Sequence, residues 1–270
     1  MTLTRSQVAA LLREHDISPS KALGQHFLVD PNTARRIVRL AQVAPGDRVV
    51  EVGPGLGSLT LALLDAGADV HAVELDRRLA DVLRHVTGGR CEVIAGDALE
   101  VDLSALSAGQ RTRVVANLPY NVAVPIVVRF LEHDPDAASL FVMVQTEVAE
   151  RLAAKPGDKA YGAVSVKVAY YATAKVAGRI PRTVFLPEPN VDSSVVAIER
   201  RARVAVEPSE VSEQRLFTVV RTAFSHRRKM LRRSLDGVVA LEAYERAGVA
   251  PTQRPEELDV AAFGRLAALP

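Results

Sequence analysis

Cys91 is the only cysteine among 270 residues, so neither an intrachain disulfide nor a cysteine-cluster metal site can form. It sits in the apolar run Cys91-Glu-Val-Ile-Ala95 and reads as a small strand residue. Long apolar runs are also missing. The first sixteen residues carry Arg5, Arg13 and Glu14, which reads as neither signal peptide nor membrane anchor. A cytoplasmic protein is expected. His15, His71, His85 and His133 lack metal-ligand spacing, and no metal is expected. No internal repeat or low-complexity tract occurs. A large net charge is missing as well, with 34 Lys and Arg against 32 Asp and Glu. That balance hides an uneven distribution. Residues 1–150 hold 14 basic and 19 acidic side chains, residues 151–235 hold 17 and 7, and residues 236–270 hold 3 and 6. The basic segment would attract phosphate backbones, although solvated faces also produce charge runs.

From Asp30 onward, short β-branched runs alternate with amphipathic stretches. Asp30-Pro31 predicts an N-cap followed by proline at the first helical position. Strands are expected at Arg48 to Val52, Asp69 to Glu74, Cys91 to Ala95, Arg113 to Ala116 and Leu140 to Val144, with helices between them. This alternation predicts a parallel sheet covered on both faces. After about residue 205 the β-rich runs stop. Glu210 to Phe224, Arg227 to Leu235, Val238 to Arg246 and Glu256 to Leu269 read as short helices. Two domains are therefore expected, an α/β domain over 1–205 and a small helical domain over 206–270.

Glu51-Val-Gly53-Pro-Gly55-Leu-Gly57 follows the first of these strands and opens a helix. Glycines there permit a tight turn and close approach of backbone to a ligand. Proteins binding NAD, FAD and S-adenosylmethionine all use such loops. Glu74 ends the next strand 21 residues after Gly53, where a carboxylate can accept hydrogen bonds from both ribose hydroxyls. Asp97, in Gly96-Asp97-Ala98, stands at the end of the third strand and could accept from an adenine amine. Glu51 would repel a diphosphate but tolerates a sulfonium or an ammonium, which tilts the choice toward S-adenosylmethionine.

The fourth strand runs into Asn117-Leu118-Pro119-Tyr120. Adenine N6 is a poor nucleophile because its lone pair is delocalised into the ring. The Asn117 side-chain oxygen and the Leu118 carbonyl could accept its two hydrogens and localise that pair. Pro119 would stiffen the turn, and Tyr120 would offer a face to an extruded base. Such a site would work by alignment and would need no strongly perturbed base.

Together with these motifs, the chain resembles the KsgA family of ribosomal RNA adenine dimethyltransferases over nearly its whole length. The resemblance extends to Leu23-Gly-Gln25-His26-Phe27-Leu28, Gln145-Thr-Glu147-Val-Ala-Glu-Arg151-Leu, Tyr161-Gly-Ala-Val-Ser165-Val, Phe185-Leu-Pro-Glu-Pro-Asn-Val191-Asp192-Ser193 and Ala223-Phe224-Ser-His-Arg227-Arg228-Lys229-Met-Leu-Arg-Arg-Ser-Leu235. It implies a Rossmann-like S-adenosylmethionine-dependent methyltransferase domain with a helical C-terminal domain. It also implies transfer of two methyls to each of two adjacent adenines near the 3′ end of 16S ribosomal RNA, in the small subunit. His26, Leu28, Gly53, Gly55, Glu74, Asp97, Ala98 and Asn117 would meet the cofactor, and Phe185 would face the target adenine opposite Tyr120. Arg221, Arg227, Arg228, Lys229, Arg232 and Arg233 fall in thirteen residues without an acid, several of them on one face at helical spacing. They suit RNA phosphates, although part of the helix could instead cover the sheet domain. Arg233 stands where the family often has Asn.

The alternatives are a macrolide-resistance enzyme that dimethylates a large-subunit adenine and a non-catalytic ribosome assembly factor on the same fold. The Gln-His-Phe-Leu start and the long basic motif speak against the first, and the presence of Glu74, Asp97, Asn117 and Tyr120 against the second. A nicotinamide dehydrogenase would need hydride-transfer residues that are not found. A monomer is expected.

Overall fold

The computed structural model describes residues 2–20 and 24–269; Leu23, which opens the Leu-Gly-Gln-His-Phe-Leu segment, lies outside them. The chain divides into two compact units, Met1–Ala149 with Val176–Glu199, and Glu150–Lys175 with Arg200–Pro270.

The first unit is built on parallel strands. The strands in chain order are β1 (Phe27–Leu28), β2 (Arg48–Val52), β3 (Asp69–Glu74), β4 (Glu92–Ala95), β5 (Thr112–Asn117), β6 (Ala137–Gln145), β7 (Ala172–Ile180), β8 (Phe185–Leu186) and β9 (Ser193–Arg200). Seven form one sheet in the order β4-β3-β2-β5-β6-β9-β7. The pairs β2–β3, β2–β5, β3–β4 and β5–β6 are parallel. Departing from the all-parallel expectation, β9 runs antiparallel to β6, from Ser139↔Glu199 to Gln145↔Ser193. Strands β1 and β8 form a separate antiparallel pair, Phe27↔Leu186 and Leu28↔Phe185.

The helices of this part are α1 (Arg5–Glu14), α2 (Pro31–Leu40), α3 (Ser58–Asp65), α4 (Arg77–Thr87), α5 (Leu103–Ser107) and α6 (Ala123–His133). Local chemistry sets their starts. The Asp30 carboxylate accepts from the Asn32 and Thr33 amides ahead of Pro31, and Asp76 accepts from Arg78 N–H. Helix α4 stops where Gly88 adopts a left-handed φ of 60°. Val49, Val70, Ala72 and Val115 from the strands pack with Ile37, Leu59, Leu63 and Leu83 from the helices in one buried cluster. Removing these side chains from water is the main driving force for the fold.

Helix α7 (Thr146–Ala153) leads into α8 (Ala163–Tyr171); beyond β9 come α9 (Glu213–Ser225), α10 (Leu231–Ser234), α11 (Leu241–Ala247) and α12 (Val260–Ala267). The division differs from a boundary at residue 205, because 150–175 belong with the C-terminal helices. Aromatic packing accounts for that. Tyr170 meets Phe217 edge-on at 5.3 Å, Tyr161 meets Phe224 at 6.0 Å, and Phe224 packs against Phe263. The buried Tyr161 hydroxyl donates to the Leu258 carbonyl at 2.8 Å.

The helix expected over Arg227 to Leu235 does not form as one piece. Helix α9 ends at Ser225, and only four residues, Leu231–Ser234, are helical again. Tertiary bonds replace helical ones: Leu231 N–H donates to Gln253 O, and Arg232 N–H to Pro251 O. Among the described residues no helix is long and apolar enough to cross a membrane.

Candidate active site

The carboxyl ends of β2, β3, β4 and β5 converge on a cavity, the usual place for a ligand in an α/β sheet. Gly53, Gly55, Glu74, Asp97, Ala98, Asn117, Leu118, Pro119, Tyr120 and His26 all line it. Sequence reasoning missed its apolar wall of Leu75, Leu79, Val122 and Ile126, which belong to ordinary helical and strand-end patterns.

The glycine loop shows why side chains are excluded. Gly53 and Gly55 take left-handed φ values of 67° and 58°. A Cβ on Gly55 would stand 3.0 Å from the Phe27 ring, and one on Gly53 3.4 Å from Pro119. Backbone thus forms the wall on which a ligand would lie.

Glu74 is anchored by that loop. Gly55 N–H donates to its Oε2 and Asp76 N–H to its Oε1, each at 3.0 Å. Each oxygen keeps a lone pair for a further donor. Burial raises the Glu74 pKa, opposed by these two amide bonds. Asp97 is fixed differently: Leu99 N–H donates to Oδ1 at 2.8 Å. Arg129 holds the same loop by donating to the carbonyls of Ala98 and Val101, each at 2.8 Å. Arg129 lies outside every motif quoted above, so nothing in the local sequence marks it.

The Asn117 amide has a defined orientation. Its Nδ2 donates to the His26 carbonyl at 3.1 Å, which leaves Oδ1 as an acceptor. Leu118 N–H is engaged with Met143 O at 3.1 Å. Tyr120 is held at both ends. Its hydroxyl shares a 2.7 Å hydrogen bond with Ser193, and its ring stacks on His26 with centroids 5.3 Å apart. His26 is itself fixed through Nδ1 to the Pro187 carbonyl at 2.8 Å. Ser193 ends a quoted motif, yet only the fold pairs it with Tyr120.

Phe185 requires correction. Its side chain has 0% exposure and packs in the sheet cluster with β8 paired to β1, so neither ring face is open to a base. The aromatic partner of Tyr120 is His26 instead. Leu28 lies deeper than expected, in a second, smaller hollow of about 30 Å³ with Glu51, Gly53, Ser58 and Asn117. The Ser58 hydroxyl donates to the Leu28 carbonyl there at 2.5 Å.

Glu51 is the outlier of this hollow. It is 1% exposed, and its Oε2 has no hydrogen-bond partner among the described residues. Burial pushes its pKa up to about 8, with the Glu74 carboxylate adding repulsion. An enclosed carboxyl with one oxygen unpaired suits a ligand that carries a positive charge. The glycine wall, the open ribose acceptor Glu74 and this carboxyl together fit S-adenosylmethionine. Among the described residues no group of His, Cys, Asp or Glu is arranged to hold a metal ion.

The basic residues of the second unit divide into two kinds. Arg227 donates to the Lys159 carbonyl at 2.8 Å and stands 3.8 Å from Glu256, and Arg221 reaches Thr218 Oγ1 at 3.3 Å. Arg228, Lys229, Arg232 and Arg233 are exposed, and no described residue pairs with their side chains. Because the segment is not one helix, they do not share a single helical face.

Comparison with known proteins identifies the family of the whole chain. A family model described as ribosomal RNA adenine dimethylase matches residues 18–268. A ribosomal RNA small subunit methyltransferase A from Thermobifida fusca is 50% identical over 98% of this chain and 95% of its own. Its counterpart from Leifsonia xyli is 50% identical over 93% and 92%. Among solved structures, a dimethyladenosine transferase from Plasmodium falciparum superposes with a TM-score of 0.74 at 25% identity, covering 89% of this chain and 96% of that one. The 23S rRNA methyltransferase ErmE gives 0.69 at 28% identity, covering 89% and 99%. With a family model spanning both units and half the residues shared with full-length relatives, the chain belongs to the ribosomal RNA adenine dimethylases, enzymes that take methyl groups from S-adenosylmethionine.

Proposed function

We propose that this enzyme dimethylates N6 of two adjacent adenines in the 3′-terminal hairpin of 16S ribosomal RNA, within the small ribosomal subunit. The observation that carries the chemistry is the Asn117 amide, turned by the His26 carbonyl so that Oδ1 faces its environment as a free acceptor. The choice of subunit rests on likeness. Relatives named as small-subunit methyltransferases share 50% of residues, whereas the large-subunit enzyme ErmE shares 28%.

In this reading Glu74 accepts the ribose hydroxyls of the cofactor, Asp97 accepts its adenine amine, and the Ala98 backbone lies beside that ring. Gly53 and Gly55 admit the cofactor closely, and His26, Leu28 and Glu51 surround its amino-acid end. When bound, S-adenosylmethionine supplies a methyl group activated by a sulfonium. Asn117 Oδ1 and the Leu118 carbonyl accept the two hydrogens of the target N6 and draw its lone pair out of conjugation. Pro119 limits the turn, and Tyr120, locked by Ser193 and His26, stacks on the flipped base. The proton leaves to water as alkylation makes the nitrogen acidic. After the first transfer one N–H remains for two acceptors, so the same pair serves the second. Phe185 takes no part. Arg221, Arg228, Lys229 and Arg232 meet RNA phosphates, while Arg227 chiefly secures the fold. The protein acts as a monomer in the cytoplasm.

The test is methyl transfer from labelled cofactor to unmethylated small subunits, with large subunits alongside, followed by nucleoside analysis. N6-dimethyladenosine in the small-subunit 3′ hairpin is expected. Label in the large subunit alone would overturn the choice of substrate.

A further inference from the structure

We propose that a cavity in the C-terminal unit, between α10 and α11, holds one unpaired nucleotide of the ribosomal RNA substrate. The proposal rests on the activity assigned above and names a second point at which the same RNA is held. The cavity measures about 440 Å³ and is lined by Arg232, Arg233, Asp236, Val239, Leu241 and Tyr244. That size falls in the range of small-molecule sites.

Its walls carry three kinds of chemistry. Val239 and Tyr244 are buried at 7% and 2% exposure, whereas Leu241 is 64% exposed, a large apolar side chain left in water at the rim. Arg232 and Arg233 are exposed, and no described residue pairs with either guanidinium. The Tyr244 hydroxyl is enclosed and has no hydrogen-bond partner among the described residues. Asp236 stands close enough that its charge, after burial, helps to push the Tyr244 pKa up to about 12.

A nucleotide matches the apolar rim, the two guanidinium groups and the Asp236 carboxylate. Unpaired RNA bases stack on guanidinium planes and apolar faces and are read along their polar edges, while Arg pairs with the phosphate. The carboxylate of Asp236 offers an acceptor to an exocyclic amine. An acidic peptide could meet the two arginines but brings neither a planar base to stack on a guanidinium nor an amine for Asp236. The cavity is also preformed: Arg232 N–H donates to Pro251 O, and Val239 N–H to Leu235 O. Preformed walls lower the ordering cost of binding.

The experiment uses the full chain with Leu241→p-benzoylphenylalanine, irradiated on unmethylated ribosomal subunits of whichever kind the wild type methylates. The adduct is mapped by reverse transcription. A dominant crosslink to one unpaired rRNA nucleotide is expected, lost when Arg232 and Arg233 are both changed to alanine. A crosslink only to a ribosomal protein, to paired rRNA or to nothing overturns the proposal. Leu241→Asn, uncharged and at an exposed position, should raise KM for subunits several-fold and leave kcat within about twofold. Unchanged KM also overturns it. Absence of methyl transfer by the wild type to either subunit would instead remove the underlying activity, so the two failures are told apart.

Discussion

Polar groups of the two units are prepared in opposite ways. In the first unit, Glu74 already accepts two backbone amides, Asp97 accepts one, and Asn117 is oriented by the His26 carbonyl. In the second, Arg228, Lys229, Arg232 and Arg233 are held by no described partner. Aligning an amine, a methyl and a sulfur demands geometry fixed before the reactants arrive, since small misplacement is costly. Attraction of a phosphate backbone tolerates geometric freedom and draws on counterion release. Fixed acceptors and free cations are therefore two solutions to two binding problems on one chain.

The sharpest way to break this comparison is at Asn117. Asn117→Ala removes the oriented acceptor while leaving every cation of the second unit in place. Methyl transfer should fall by about 10²–10³, the scale for losing one preorganised polar contact. RNA affinity, read by filter binding on small subunits, should stay within about twofold. Equal loss of both would mean that Asn117 supports the fold rather than the reaction.

Much of the first unit was legible because its signals are local. Short β-branched runs bounded by glycine or an acid gave β2 through β5, and Asp30-Pro31 marked the start of α2. The cavity residues Gly53, Glu74, Asp97 and Asn117 each close a strand, so finding the strands located the site. What escaped depends on distant partners. Glu150–Lys175 joins the second unit through Tyr161 and Tyr170, whose partners Phe217, Phe224 and Phe263 come much later in the chain. The basic motif has helical spacing, yet carbonyls of Gln253 and Pro251 capture its amides and break the helix. Phe185 was misread for the same reason, since only the pairing of β8 with β1 buries it. Ser193 and Arg129 act on the site across 73 and 31 residues, respectively.

A second prediction separates cations within the basic segment. Changing Arg228 and Lys229 together to alanine should weaken RNA binding about tenfold near 0.1 M salt. The slope of log affinity against log salt should flatten by about 1.4, two phosphate contacts at roughly 0.7 each for single strands. Arg227→Ala should act otherwise, because that guanidinium is engaged with the Lys159 carbonyl and Glu256. It should cost about 1 kcal/mol or less in thermal unfolding, with little change of slope. Identical slopes for the two variants would erase the distinction between structural and free cations.

The smallest expected effect sharpens the contrast inside the first unit, where Glu51 is the carboxyl with its Oε2 left unpaired. Its pKa, pushed up to about 8 by burial, lies above the ordinary carboxylate value, so the folded protein retains a proton there at neutral pH. A raised native pKa means that Glu51 favours folding at acid pH and that this contribution is lost as pH rises from about 4.5 toward 8. Glu51→Gln should therefore unfold at a higher temperature than the wild type at pH 8 and show the smaller difference at pH 5. Cofactor binding should respond in the opposite sense. If the carboxylate receives the ammonium of S-adenosylmethionine, binding at pH 7 releases a fraction of a proton, and Kd tightens several-fold between pH 6 and pH 8. Calorimetry in buffers of different ionisation heat reads that proton directly. Glu51→Gln should bind without proton release and with a flat pH profile, whereas an unchanged release in the variant would assign the proton to another group.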